Sequence, residues 1–125
     1  MPTLPKQPKL IDRVTVIRHW KAENAAARHA RSTGDHAAEW AHLERAHILS
    51  QPMPVAHVRT HLAMLAFAIR RRDRREITGQ LIRAIVAGPG SAVRRYPLGN
   101  TGGANVSAVA PMPIPDDLRG VLDAT

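Results

Sequence analysis

The sequence contains no cysteine among its 125 residues. This absence excludes disulfide frameworks, thiolate zinc sites, iron–sulfur clusters and cysteine nucleophiles. It also argues against a trap for soft ions such as mercury or copper(I), which prefer sulfur ligands. A metal site in this chain would have to use imidazole nitrogens and carboxylate oxygens.

Aromatic residues are also scarce, at 3% of the chain against 44% hydrophobic residues in total. The core must therefore be aliphatic and rich in alanine, a composition that favours closely packed helices. The longest apolar run, residues 62–69, is too short to cross a membrane. Residues 1–9 lack the continuous apolar region of a signal peptide. We expect a cytoplasmic protein with no membrane partner.

Acidic residues are few, because ten Asp and Glu stand against 18 Lys and Arg, for a net charge of +8. Strongly basic proteins often bind nucleic acid or another anion. The run Arg70–Arg75 is the candidate patch, although such runs are also typical of a solvated helix end. Nucleic acid is kept as an alternative partner but is not favoured, because stacking aromatic residues are nearly absent and no known nucleic-acid-binding motif is found.

Apolar residues recur at the helical period, which predicts an all-α fold: a compact bundle of about four helices arranged as two helical hairpins. The predicted helices cover residues 10–32, 36–50, 54–71 and 74–87. Gly34 and Asp35 are predicted to end the first helix and to cap the second, and this joint resembles that of a tetratricopeptide hairpin.

The composition changes after residue 87, where Gly, Pro, Asn and Ser dominate. We therefore divide the chain into an irregular arm at 1–9, a helical bundle domain at 10–87 and an irregular tail at 88–125. The sequence Gly88-Pro89-Gly90 is predicted to close the fourth helix. The tail is predicted to pack on the bundle and to contain a short last helix at about 116–123.

Histidines cluster around the turn between the second and third predicted helices. At 100° per residue, Glu44 and His47 lie on one apolar face of the second helix. His57 and His61 are one turn apart on the third helix, the spacing at which one helix offers two ligands to one ion. His42 points away from this face and would be a ligand only if the helices were rotated from this assignment.

The turn brings these residues to matching levels. If the chain reverses near Pro52, His47 and His57 each lie five residues from the turn. Glu44 and His61 lie eight and nine residues from it. Imidazole and carboxylate ligands suit a divalent transition metal, with zinc and iron the leading candidates. The predicted metal ligands are therefore Glu44, His47, His57 and His61.

The role of such a metal is left open by the sequence. Three histidines and Glu44 would complete a tetrahedral structural site. If Glu44 is instead a second-layer residue, the three histidines leave one coordination position open for catalysis. No reaction is specified by the residues, so the question of enzymatic activity stays open as well.

Two other functions fit the sequence. A histidine taken singly on an apolar face is more typical of a hydrogen-bonded core residue than of a ligand, and Glu44 would then pair with Arg45 or Arg59. The chain would in that case be a helical-hairpin protein-interaction module with structural histidines. Alternatively, Arg70–Arg75 would bind nucleic acid or another anion with an affinity that falls steeply with salt.

Long motifs in the chain resemble those of a small bacterial family known as domain of unknown function 3703. The motifs that carry the resemblance include Gly34-Asp35, His42-Leu43-Glu44-Arg45-Ala46-His47, Gly99-Asn100-Thr101-Gly102-Gly103-Ala104-Asn105-Val106-Ser107 and Pro111-Met112-Pro113-Ile114-Pro115. The family has no established activity to transfer, but its members occur beside heavy-metal resistance genes. The resemblance therefore implies a metal-handling or metal-resistance accessory protein, in agreement with the histidine pattern.

Overall fold

The computed structural model describes residues 10–93, 98–104, 106 and 110–123. These residues form five helices and no strand, so the predicted all-α class is confirmed. The helices are α1 (Leu10–Ser32), α2 (His36–Ser50), α3 (Pro54–Arg71), α4 (Arg74–Ala92) and α5 (Asp116–Asp123). None of them is long and apolar enough to span a bilayer. The predicted arm at 1–9 lies outside the described residues.

Local capping signals set the joints between consecutive helices. Gly34 has a φ of +76°, a left-handed conformation that glycine adopts without steric penalty. The side chain of Asp35 then accepts a hydrogen bond from the backbone N–H of Ala38 at 3.0 Å. Asp73 caps α4 in the same way, by accepting from the N–H of Glu76 at 3.0 Å.

The C-terminal end of α4 differs from the prediction. The sequence predicts an end at Ala87, whereas the helix continues through Pro89 to Ala92. Proline removes only the hydrogen bond to the carbonyl of Ile85, four residues back. Ile85 and Pro89 are both exposed, and the helix continues past the proline. The extra turn has a functional consequence, because it carries the buried Ser91.

Helix packing follows the chain order. Helix α1 packs against α2 and α3 against α4, while α2 also contacts α3, and α5 packs on α1 and α2. The largest fully buried apolar side chains include Leu49 and Met64. Leu49 packs in one cluster with Val16 and Leu118, and Met64 packs in a second cluster with Ala27 and Leu43. Burial of each such aliphatic side chain contributes about 1.5–3 kcal/mol relative to exposure. The three packed helices α2, α3 and α4 enclose the polar site described next.

Candidate metal centre

Three buried histidine rings meet between α2, α3 and α4. The Nε2 atom of His47 lies 3.0 Å from Nε2 of His57 and 3.0 Å from Nε2 of His61. All three residues are no more than 5% exposed. Within the described part of the chain, they form a group whose possible ligand atoms all lie within 4.8 Å of one another.

Helix geometry explains how three residues from two helices converge. His57 and His61 are one turn apart on α3 and share the face that also buries Met64 and Ala68. His47 reaches them from the last turn of α2, which packs against α3. The sequence prediction that helices two and three bring His47, His57 and His61 together therefore agrees with their positions in the structure.

The other ring nitrogen of each histidine is held by an oxygen atom of a different element. Nδ1 of His57 lies 2.6 Å from Oγ of Ser91 on α4. Nδ1 of His61 lies 2.6 Å from Oε1 of Gln80, also on α4. Nδ1 of His47 lies 2.6 Å from the backbone carbonyl oxygen of Asn100 in the segment that follows α4.

The hydrogen bonds made by these partners fix the direction of each contact. The hydroxyl of Ser91 donates its proton to the carbonyl of Gln51 at 2.6 Å, so its oxygen accepts from His57. The amide nitrogen of Gln80 donates to a carboxylate oxygen of Glu76 at 2.8 Å and to the carbonyl of Gly102 at 2.7 Å. The amide oxygen of Gln80 is therefore the acceptor toward His61.

It follows that all three histidines carry their proton on Nδ1. The carbonyl oxygen of Asn100 can only accept, and the oxygens of Ser91 and Gln80 accept for the reasons just given. In a neutral imidazole a proton on Nδ1 leaves Nε2 with a bare lone pair. Three lone pairs thus point toward a common point, the arrangement that histidine ligands present to a metal ion.

The electrostatic environment keeps the rings neutral. Burial, and then the charge of His61, lower the pKa of His57 to about 3. Burial lowers the pKa of His61 to about 4, although the hydrogen bond that His61 donates to Gln80 acts in the opposite direction. The pKa of His47 also lies well below its usual range, because of burial and the two neighbouring rings. At neutral pH each ring therefore carries a single proton, which the hydrogen bonds described above place on Nδ1.

A metal cation removes the repulsion between these lone pairs. Two imidazole nitrogens bound to zinc at about 2.0–2.1 Å each, at the tetrahedral angle, are about 3.3–3.4 Å apart. The 3.0 Å separations here need to open by only a few tenths of an ångström to reach that value. The donor set, the tautomers and the spacing all fit a divalent transition metal.

Glu44, the fourth predicted ligand, lies outside the close group of histidines. Its carboxylate is half-buried and takes part in a hydrogen bond with the side chain of Thr101. Burial and the nearby charge of Glu76 raise the pKa of Glu44, while the bond to Thr101 opposes that change. Coordination by Glu44 stays a prediction, and its position beside the site suits either a fourth ligand or a neighbouring acid.

Residues 98–104, which we call the cover segment, pack over the open side of this cluster. Gly102 has a φ of +86°, and a Cβ atom at that position would lie 2.6 Å from Cδ2 of the His47 ring. The N–H of Ala104 donates to both carboxylate oxygens of Glu76, at 2.8 and 2.9 Å. Only glycine allows the backbone to approach His47 so closely, so the cover segment is built into the site.

The remaining candidates have other partners. His42 points away from the cluster, as predicted, and its Nδ1 lies 2.7 Å from a carboxylate oxygen of Glu23. Arg45, which the alternative interpretation pairs with Glu44, instead forms ion pairs with Glu23 and Asp117. In the basic run, Arg70 donates two hydrogen bonds to the buried carboxylate of Glu39, so part of this run has a structural role.

The partners of the Nδ1 atoms were not predicted as functional residues. Ser91 was missed because the fourth helix was predicted to end before it. Gln80 lies one turn after Glu76 on α4 and donates a hydrogen bond to it. This spacing would have indicated a buried pair of polar side chains if the inward face of α4 had been identified from the sequence. The backbone carbonyl of Asn100 carries no side-chain signal, so the sequence gives no means of finding it.

Comparison with known proteins agrees with the resemblance found in the sequence. The family described as "Protein of unknown function (DUF3703)" matches residues 15–122, which include all three histidines and the cover segment. The chain belongs to this family. No curated protein matches the sequence. No solved structure matches either, so DUF3703 membership brings no activity or ligand with it.

Proposed function

We propose that this DUF3703 protein binds a divalent transition metal ion through Nε2 of His47, His57 and His61. The observation that carries the proposal is the convergence of three Nε2 lone pairs whose Nδ1 atoms all donate outward. If these rings were ordinary core histidines bonded to one another, each Nε2–Nε2 contact would pair an N–H donor with an acceptor nitrogen. Three facing acceptors inside a protein are favourable only around a cation.

The donor atoms narrow the choice of ion. Neutral imidazoles suit zinc, iron(II), cobalt, nickel and copper(II), whereas magnesium and calcium prefer oxygen ligands. The chain has no cysteine thiolate to select copper(I) or mercury. Zinc and iron remain our leading candidates. Three protein ligands leave a coordination position for water or a bound molecule, and Glu44 is the side chain we propose for that position or for the space beside it.

We further propose that the protein is an accessory for metal handling or resistance and that it acts in the cytoplasm. The site is buried beneath the cover segment, which accepts the Nδ1 proton of His47 through Asn100. Such a buried site holds an ion away from solvent and suits retention or delivery better than rapid turnover. The basic Arg70–Arg75 run remains the basis of the alternative anion-binding function.

Metal analysis of the purified protein tests the proposal. We expect about one ion per chain, removable by a strong chelator and restored by zinc or iron(II). The His57→Ala, His61→Ala double variant should lose it. The matched control is a His29→Ala, His36→Ala variant, which removes two exposed histidines and should keep full metal content. Equal and low metal content in the wild type and in the double variant would refute the proposal.

Zinc affinity separates the two roles open to Glu44, which are fourth ligand and neighbouring acid. If its carboxylate completes the coordination shell, the Glu44→Gln variant should bind zinc more weakly by a factor of ten or more while keeping its helix content. If Glu44 only neighbours the site, zinc affinity should stay within about threefold of the wild type, because the three imidazoles then supply the binding energy. Competition against a chromogenic chelator gives the affinities.

A further inference from the structure

The outer surface of the α3–α4 hairpin is strongly apolar. Besides Val55 in the first turn of α3, seven aliphatic side chains on these two helices or at the C-cap of α4 are at least half exposed, and Ile85 reaches 76%. They are Leu62, Ile69, Leu81, Ile82, Ile85, Val86 and Val93. We call these seven residues the hairpin face. Single exposed aliphatic side chains are common on protein surfaces and need no explanation. A group of seven on one hairpin does need one.

These residues lie together because of the way α4 is oriented. At 100° per residue, the face of α4 that carries Gln80 and Ser91 toward the metal site leaves Ile82, Ile85 and Val86 on the opposite side. Among the described helices, α4 packs only on α3, so nothing in this part of the chain covers that side. Leu62 and Ile69 extend the face onto α3, two turns apart on one line.

The part of the hairpin face that lies on α4 also lacks charge. Between Arg75 and Val93, the charged side chains of α4 are Glu76 and Arg83. Glu76 is buried and accepts from Gln80, and Arg83 donates to the backbone carbonyl of Val106, so both belong to the inner side. An acidic or basic partner would find no ion-pair acceptor or donor on this stripe. The surface that best complements the hairpin face is another uncharged aliphatic surface.

The exposed area is large enough for a stable association. From their exposed fractions, the seven side chains present on the order of 600 Å², at the upper limit for apolar patches on monomeric proteins. A stable interface of standard size buries roughly 800 Å² on each partner, including its polar rim. The hairpin face therefore supplies most of what a symmetric interface needs, with the same residues on both sides.

We propose that the hairpin face joins two copies of this chain in a two-fold dimer in which the α4 helices run antiparallel. The direction follows from charge. Arginines crowd the turn between α3 and α4, at positions 70, 71, 72, 74 and 75. Antiparallel pairing separates the two arginine-rich ends by about the 28 Å length of a 19-residue helix, well beyond the screening length of roughly 8 Å in physiological salt. Parallel pairing would bring them together.

Sedimentation equilibrium on the full chain tests the dimer. We expect a dimer at micromolar concentration for the wild type. The Ile82→Glu, Ile85→Glu variant should become a monomer, because it places two charges in the centre of the face. The matched control is Val14→Glu, which adds a charge at an equally exposed aliphatic position on α1 and should leave the dimer intact. A wild type that remains monomeric at 100 µM or above, or a dimer that persists in the double variant, would overturn the proposal.

Single cysteines test the direction of pairing, since the natural chain has none. In the antiparallel dimer Ile85→Cys faces its own copy and should form an intermolecular disulfide on mild oxidation. Val93→Cys lies near the end of α4 and should not, because a disulfide needs Cα atoms within about 7 Å of each other. A Val93→Cys protein that cross-links to itself would overturn the antiparallel arrangement. The two tests measure molecular mass and cross-linking, so their outcomes do not depend on metal binding.

Discussion

Oγ of Ser91 accepts a hydrogen bond from Nδ1 of His57 at 2.6 Å and connects the end of α4 to the histidine cluster. Metal-binding histidines generally depend on such partners, and their loss lowers metal affinity about 10- to 100-fold. We expect a loss of this size for Ser91→Ala, measured by chelator competition with zinc. Thr78→Ala on the exposed side of α4 is the control and should keep wild-type affinity. Unchanged affinity in Ser91→Ala would contradict the role assigned to Ser91.

The contact between Gly102 and His47 gives a second prediction. Gly102→Ala places a Cβ atom 2.6 Å from the His47 ring and should lower both metal affinity and the melting temperature. Gly34 is the matched control, because it shares a positive φ but has no atom within 4 Å of an added Cβ. Gly34→Ala should therefore show only the backbone penalty, about 1 kcal/mol, with zinc affinity unchanged. Equal effects of the two substitutions on zinc affinity would argue against close packing at Gly102.

The stability of the metal-free protein should depend on pH through the histidine cluster. The pKa values of His57 and His61, about 3 and about 4 in the folded protein, lie below the ordinary value of 6.5 that applies after unfolding. Between these values the unfolded chain binds more protons, so the free energy of unfolding is greatest above pH 6.5 and falls as the pH is lowered toward 4. The total loss should be on the order of several kcal/mol.

Urea denaturation of chelator-treated protein at pH 7, 6, 5 and 4.5 measures this dependence. In His61→Ala the slope between pH 6.5 and 4.5 should decrease, because one shifted group has been removed. In the control variant His29→Ala, which alters an exposed residue, the slope should match the wild type. A slope that is the same in all three proteins would exclude the histidine cluster as its source.

Glu39 provides a stability prediction away from the metal. Its carboxylate is 3% exposed and is bound by both terminal nitrogens of Arg70, at 2.8 and 3.3 Å. Arg70→Ala leaves this buried carboxylate without that partner and should lower the free energy of unfolding by about 1–3 kcal/mol. Exposed Arg71 is the control, and its replacement by alanine should change stability by less than about 0.5 kcal/mol. Equal effects would show that Glu39 gains nothing from Arg70.

The parts of the fold that depend only on residues nearby in the sequence were predictable. Gly34, Asp35 and Asp73 act as stop and cap residues because their effect is confined to one turn of chain. The end of α4 was not predictable in this way. A Gly-Pro-Gly sequence is a local stop signal, but α4 continues through it, and the burial of Ser91 in the extra turn depends on tertiary position.

The candidate site was likewise predictable only in part. Helical periodicity and the turn at Pro52 placed His47, His57 and His61 together, because all three lie within one hairpin of adjacent helices. The hydrogen bond between His47 and Asn100 joins residues 53 positions apart, across a segment with no helical period. No local pattern determines where such a segment returns. The proximity of the three histidines was therefore predictable from the sequence, and the atoms that orient their rings were not.

The attachment of the cover segment to His47 also affects how fast an ion would exchange. Gly102 lies against the His47 ring, and the Asn100 carbonyl accepts from Nδ1 of the same ring. Local opening of residues 98–104 would then be one step in the release of a bound ion, in addition to the breaking of the nitrogen–metal bonds. Ion exchange at the proposed site would then respond to changes in the segment that follows α4, although that segment supplies none of the three imidazoles.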